Sequence, residues 1–151
     1  MKLYQKDIVS QKMNISKKAG YAIKAVTTIA RHTQNKPLQI SEISTNESIP
    51  IKFLEQILLN LKNNGILKSK RGANGGYLLA KPSDNISIGM ILDIIDGPFD
   101  PIGLKSGNNI GFGLEKCFGD MINIVNKHLN SFTIQKIIEI EKPKDLLAFE
   151  I

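Results

Sequence analysis

The sequence predicts a mainly α fold with one small β hairpin. Three observations carry that reading. Apolar residues recur at helical spacing in most segments of the chain, a single glycine-rich turn is flanked by two short runs of strand character, and the charge changes sign between the two halves. With 151 residues the chain has the length of one domain, or of a small domain with an appendage. A chain of that length buries roughly 70% of its unfolded surface. Apolar residues make up 42% and charged residues 23%, values that fit a packed globular chain and not a disordered one. No apolar run reaches the ~18 residues of a membrane helix. The first residues, MKLYQKDIVSQKM, have neither an apolar core nor a small-residue cleavage site, so no secretory signal is expected and the cytoplasm is the expected location. One cysteine, Cys117, excludes an internal disulfide framework and a site made of four cysteines.

The elements follow in order. Residues 1–12 show no clean period and form an N-terminal extension; Met13 is a second candidate start. Ser16 caps a helix near 16–33, in which Ala19, Ala22, Ile23, Val26, Ile29 and Ala30 share a face until Asn35-Lys36-Pro37 stops it. A short second helix spans 40–47, with Gln39 at its start, and Ser48-Ile49 makes a brief turn. Pro50 suits the first position of a third helix over about 50–64, where its missing N–H costs nothing. Leu54, Ile57, Leu58 and Leu61 form its apolar stripe, and Asn64-Gly65 ends it. The period then changes. Ile66 to Arg71 reads as a strand, Gly72-Ala73-Asn74-Gly75-Gly76 as a tight turn, and Tyr77 to Ala80 as the return strand, closed by Pro82. Ser87 opens a fourth helix with Ile88, Ile91, Leu92 and Ile95 on one face, and Gly97-Pro98 stops it. Residues 97–113, with five Gly and two Pro, read as a functional or mobile loop. A longer helix is expected near 114–131, on Leu114, Phe118, Met121, Ile122, Val125 and Leu129. Thr133 caps a last helix to about 141, which Lys142-Pro143 breaks before a tail over 144–151.

Three helices followed by a two-stranded hairpin is the order of a winged helix-turn-helix. The expected division is an extension over 1–12, a winged helix-turn-helix over 13–82, and a linker loop with a helical region over 83–151. Residues 13–82 carry eleven Lys/Arg against three Asp/Glu, and residues 83–151 six against ten. A basic half joined to an acidic half points to a polyanion met by the first half. The outer face of the third helix holds Lys52, Glu55, Gln56, Asn60 and Asn63. Gln and Asn pair with adenine, Lys with guanine, and Glu accepts from cytosine, all in a major groove wide enough for a helix. Lys68, Lys70 and Arg71 lead into the glycine turn and are candidate phosphate contacts. The turn lacks the Lys-Ser/Thr of a phosphate-binding P-loop and does not join a strand to a helix.

The stretch FLEQILLNLKNNGILKSKRGANGGYLLAKPSDNISIGMILDIIDG over residues 53–97 resembles the Rrf-type (Rrf-two) family of bacterial winged-helix regulators. The matching positions are Phe53-Leu54-Glu55-Gln56, Gly65, Arg71-Gly72 and Gly75-Gly76-Tyr77, and Lys18-Ala19-Gly20-Tyr21-Ala22 is similar to the family's opening. The resemblance covers about 13–141. It implies a homodimeric repressor or activator that binds double-stranded DNA at a palindromic operator, with Gly75, Gly76 and Tyr77 in the wing. It also implies that the long helix is a dimerisation helix, with Phe118, Met121, Ile122, Val125 and Leu129 meeting a second subunit. Cluster-binding members carry three cysteines before that helix; here only Cys117 lies there, and one thiolate cannot hold an iron–sulfur cluster. The chain thus resembles the cluster-free branch, whose regulators of cysteine metabolism respond through a partner protein. No cofactor or metal is expected, and the signal is expected to be metabolic or redox, brought by an effector enzyme or a small molecule.

Cys117, beside Phe118, is expected to be a buried packing thiol, with a redox role as its alternative. His32 and His128 read as surface or packing residues. Asp93 and Asp96 read as solvated carboxylates on a helix, and no grouping of nucleophile, base and acid points to an enzyme. Two other functions remain open on the residues alone: a winged-helix module that binds protein and not DNA, and an iron–sulfur sensor with unusual ligands. The charge split disfavours the first and the cysteine count the second.

Overall fold

A computed structural model describes residues 15–32, 36–104 and 107–142. The expected extension over 1–12, the candidate start Met13, Asn35 and Pro143, and the tail over 144–151 lie outside the described residues. Among the described residues the order is α1 (Lys17–Arg31), α2 (Ile40–Glu47), α3 (Ile51–Asn63), β1 (Leu67–Lys70), β2 (Gly76–Leu79), a 3₁₀ turn (Ser83–Asn85), α4 (Ile88–Asp96), α5 (Phe112–Ser131) and α6 (Ile134–Ile140). The fold is mainly α with a small antiparallel hairpin, as the sequence predicts.

The core forms around α1. Ala19, Ala22 and Ala25 recur every third residue and are fully buried. Side chains this small let neighbouring helices come close, and α1 packs against α2, α3, α4, α6 and β2. Ser16 caps the helix by accepting from the Ala19 N–H at 3.0 Å. Asp96, exposed as expected of a solvated carboxylate, also accepts from the Ser16 N–H at 3.0 Å and from the Ser16 hydroxyl. It ties the end of α4 to the start of α1. One buried cluster joins Val26, Leu54, Ile57, Leu58 and Leu61 to Ile86, Ile91 and Ile134. The core therefore runs across residue 82, so the division into 13–82 and 83–151 does not separate two cores.

Two short bridges complete the fold that periodicity alone could not show. Leu38 pairs with Tyr77, each donating its N–H to the other's carbonyl at 3.0 and 2.9 Å. This adds a third extended segment to the hairpin and anchors it to the start of α2. Ser87 pairs with Thr133, and Ile88 donates to Phe132 O at 2.8 Å while Ile134 donates to Ile86 O at 2.9 Å. The end of α5 is thereby clamped to the start of α4. Gly89 allows it, since a Cβ there would be driven into the Asn130 side chain. The long helix begins at Phe112, two residues before the expected start. No helix of the described residues is long and apolar enough to cross a membrane.

Candidate nucleic-acid interface

Helix α3 owes its position to its apolar stripe. Leu54, Ile57, Leu58 and Leu61 are fully buried, each worth roughly 1.5–3 kcal/mol of transfer free energy. Pro50 precedes the first helical residue, Ile51, and its carbonyl accepts from the Phe53 and Leu54 N–H groups at 3.1 Å. At the other end Ile66 returns its N–H to Leu61 O at 3.0 Å, with Gly65 at φ +77°. This closure turns the chain directly into β1. Before α3, the turn is tight: Ser48 sits in the left-handed region at φ 54°, and the Ser44 hydroxyl donates to Ile49 O at 2.7 Å. Helices α2 and α3 are thus held as a helix-turn-helix pair.

The stripe opposite the core is exposed. Lys52, Gln56, Leu59 and Asn63 stand at i, i+4, i+7 and i+11, and Glu55 is exposed on its flank. Asn60 is set apart from these residues. It is half-buried, its amide donates to Ile94 O at 3.5 Å, and its side chain and carbonyl accept from Asn64 at 2.9 and 2.8 Å. It braces α3 against α4 and does not belong to the open stripe. The residue that takes the centre of the stripe is Leu59, which a search for polar side chains passes over. Phe53 and Ile51 are also exposed, on the two flanks.

The hairpin follows α3 directly, and β1 packs against that helix. Its register pairs Leu67 with Leu79, Lys68 with Leu78, Ser69 with Tyr77 and Lys70 with Gly76. Leu67 is buried, so Lys68 and Lys70, on the other face of β1, point away from the core. Arg71 follows them, also exposed. The glycines of the turn act through backbone geometry. Gly75 is buried and donates to Gly72 O at 2.9 Å. Gly76 has φ +143°, and a Cβ on it would be driven into the Leu38 carbonyl. Tyr77 is half-buried in the pairing with Leu38. Gln39 Nε2 donates to Ala73 O at 3.3 Å and holds the tip against the start of α2. Among the described residues the ion pairs are Arg31 with Glu141 and Lys116 with Asp120. Lys52, Lys68, Lys70 and Arg71 belong to neither, so their charge faces outward.

The long helix α5 is mostly exposed. Only Ile122 is buried along it. Phe118, Met121, Val125 and Leu129 are half-buried, and Leu129 packs on the chain's own core. Phe112, Leu114 and Ile124 are exposed at 82, 54 and 70%. Cys117 corrects an expectation: it is exposed and not a buried packing thiol. His128 lies exposed near Phe132, with ring centroids 6.1 Å apart.

A helix-turn-helix with a wing tied to it, carrying an outward stripe of hydrogen-bonding side chains, defines a winged helix-turn-helix of the regulator class. The chain belongs to the Rrf2 family, described as iron-dependent transcriptional regulators, whose profile matches residues 15–140. It is 30% identical over 131 residues to the HTH-type transcriptional regulator IscR of Pectobacterium atrosepticum, spanning 83% of this chain and 79% of that one. Among solved structures it is similar to CymR (YrzC), the global cysteine regulator of B. subtilis, at a TM-score of 0.74 and 26% identity, over 85% of this chain and 98% of that one. It also shares the fold of T. potens IscR, at a TM-score of 0.72 and 23% identity, over 85% and 88% of the two chains. These relatives are transcriptional regulators and not enzymes.

The iron dependence of the family does not fit the residues present. The chain has one cysteine, and among the described residues no group of three His, Cys, Asp or Glu side chains could hold a metal ion. His32 and His128 do not join Cys117 in such a group. A cluster takes four Cys ligands, or two Cys with two His, and a single thiolate supplies neither set.

Proposed function

We propose that this chain is a homodimeric, sequence-specific DNA-binding repressor that answers a metabolic or redox signal without a cluster of its own. The observation that supports it best is the exposed stripe of α3 together with a wing whose cations have no carboxylate partner among the described residues. On this reading α3 lies in the major groove, with Gln56, Lys52 and Glu55 toward base edges. Lys68, Lys70 and Arg71 lie along the phosphates, while Gly75, Gly76 and Tyr77 shape the wing and hold it in place. Phosphate contacts position the module and base contacts specify the site.

The exposed apolar side of α5 supports dimerisation. Leu114 and Ile124 are open, and Phe118, Met121 and Val125 are half-covered by their own chain. Ile122 and Leu129 serve the chain's own packing and leave the partner face to the others. A two-fold pair would place two copies of α3 about 34–36 Å apart, one turn of DNA, and make the operator an imperfect palindrome. The loop between α4 and α5 joins the reading half to this helix. An effector enzyme or small molecule acts there by binding two arrangements of the pair with different affinity.

The test is a binding titration of the full chain against promoter fragments over a salt series. Specific fragments should bind in the nanomolar range with a steep negative dependence on salt. Binding that is absent at low salt for every fragment would leave the protein-interaction reading in its place.

A further inference from the structure

Leu59 is 54% exposed, yet both its neighbours in the apolar stripe, Leu58 and Leu61, are fully buried. The core is therefore filled without it. It stands at i+7 in the stripe Lys52, Gln56, Leu59, Asn63, with a hydrogen-bonding residue about one turn to either side. Single exposed leucines are common on protein surfaces. This one occupies the centre of the face that meets DNA on the reading proposed above, on which the inference rests.

The major groove offers one apolar group among the base edges, the C5-methyl of thymine. A leucine set against any other edge would desolvate a donor or acceptor and give it no partner. We infer that Leu59 is a specificity-determining residue that packs on a thymine C5-methyl in each half-site. Gln56 and Leu59 are separated by about 4.5 Å along the helix axis, close to the ~3.4 Å step between base pairs. The thymine therefore lies within about two base pairs of the base that Gln56 reads. Replacing that pair by C·G in the same orientation puts the cytosine amino group against the leucine, so the residue both attracts thymine and rejects cytosine.

The experiment uses the full chain and duplexes selected from a random pool. Each thymine of the selected site is replaced in turn by deoxyuridine, which removes the methyl alone. At one thymine per half-site the parent protein should lose affinity about fourfold, the worth of one buried methyl-sized group. Leu59→Ala should bind the thymine and deoxyuridine duplexes equally. A parent protein indifferent to every missing methyl overturns the inference. So does a Leu59→Ala variant that keeps the fourfold difference, including one that keeps it while losing its dimer, which would make Leu59 a subunit contact. Failure of the parent protein to select any duplex overturns the DNA-binding reading itself and is a separate outcome.

Discussion

Gln56 is exposed and has an unobstructed amide on the outer stripe of α3. Gln56→Ala should therefore cost ~1–3 kcal/mol on the selected operator and little on random DNA, read by competition titration. Equal losses on both would give Gln56 a backbone role. Cys117 makes the second prediction at this scale. With one cysteine in the chain, protein prepared anaerobically with iron and sulfide should stay colourless, and operator binding should be unchanged by an iron chelator. A brown protein with stoichiometric iron and sulfide would contradict this. Because the thiol is exposed, oxidants can reach it. Cys117→Ser tests the redox signal directly: a response to peroxide present in the parent and lost in the variant assigns the switch to this thiol.

The wing acts as an element, through charge and through anchoring. Lys70 and Arg71 leave the hairpin with no carboxylate partner among the described residues. Replacing both with Ala should weaken binding to all sequences alike and flatten the salt slope by roughly two, close to one unit per lost phosphate contact. An unchanged slope would remove the wing from the interface. Anchoring depends on Gly76. Its positive φ and its contact with the Leu38 backbone mean that Gly76→Ala must break the pairing of Leu38 with Tyr77. We expect a loss of about 3 kcal/mol in thermal unfolding, at the upper end of ordinary substitutions. Gly72→Ala is the control: φ is +108° but the space is open, so only backbone strain of ~1–2 kcal/mol is added.

For the whole molecule, the prediction concerns assembly. Ile124 is 70% exposed on the side of α5 that its own chain leaves open. Ile124→Asp would place a charge in the proposed subunit contact, where it is desolvated without a partner. Light scattering at micromolar concentration should show the parent as a dimer and the variant as a monomer. Operator affinity should fall with the loss of the second half-site. The fold of each subunit should survive, because the substituted residue contributes nothing to the buried cluster around α1. A parent protein that is monomeric both free and on DNA would remove dimerisation from the proposed function.

What was legible in the sequence was local. Apolar spacing set the helices and the stripe of α3, Ser16, Ser87 and Thr133 marked helix starts through a hydroxyl that satisfies an open N–H, and the glycine-rich turn marked the hairpin. The family resemblance was legible too, because its motif lies in one contiguous stretch. The candidate site was legible as a set of residue types on one helix and one wing. Tertiary structure decided which of those side chains are open. Asn60 lies on the edge of the stripe, where α4 covers it and offers the Ile94 carbonyl; periodicity does not show what packs against an edge. Leu59 was passed over because an exposed leucine and a buried one look alike in sequence. The exposure of Cys117 and the open side of α5 had the same cause. A helix rich in apolar residues has more apolar surface than its own chain covers, and only the packed neighbours fix which part is left over. The pairings of Leu38 with Tyr77 and Ser87 with Thr133 join residues more than thirty positions apart, a separation at which no local pattern operates.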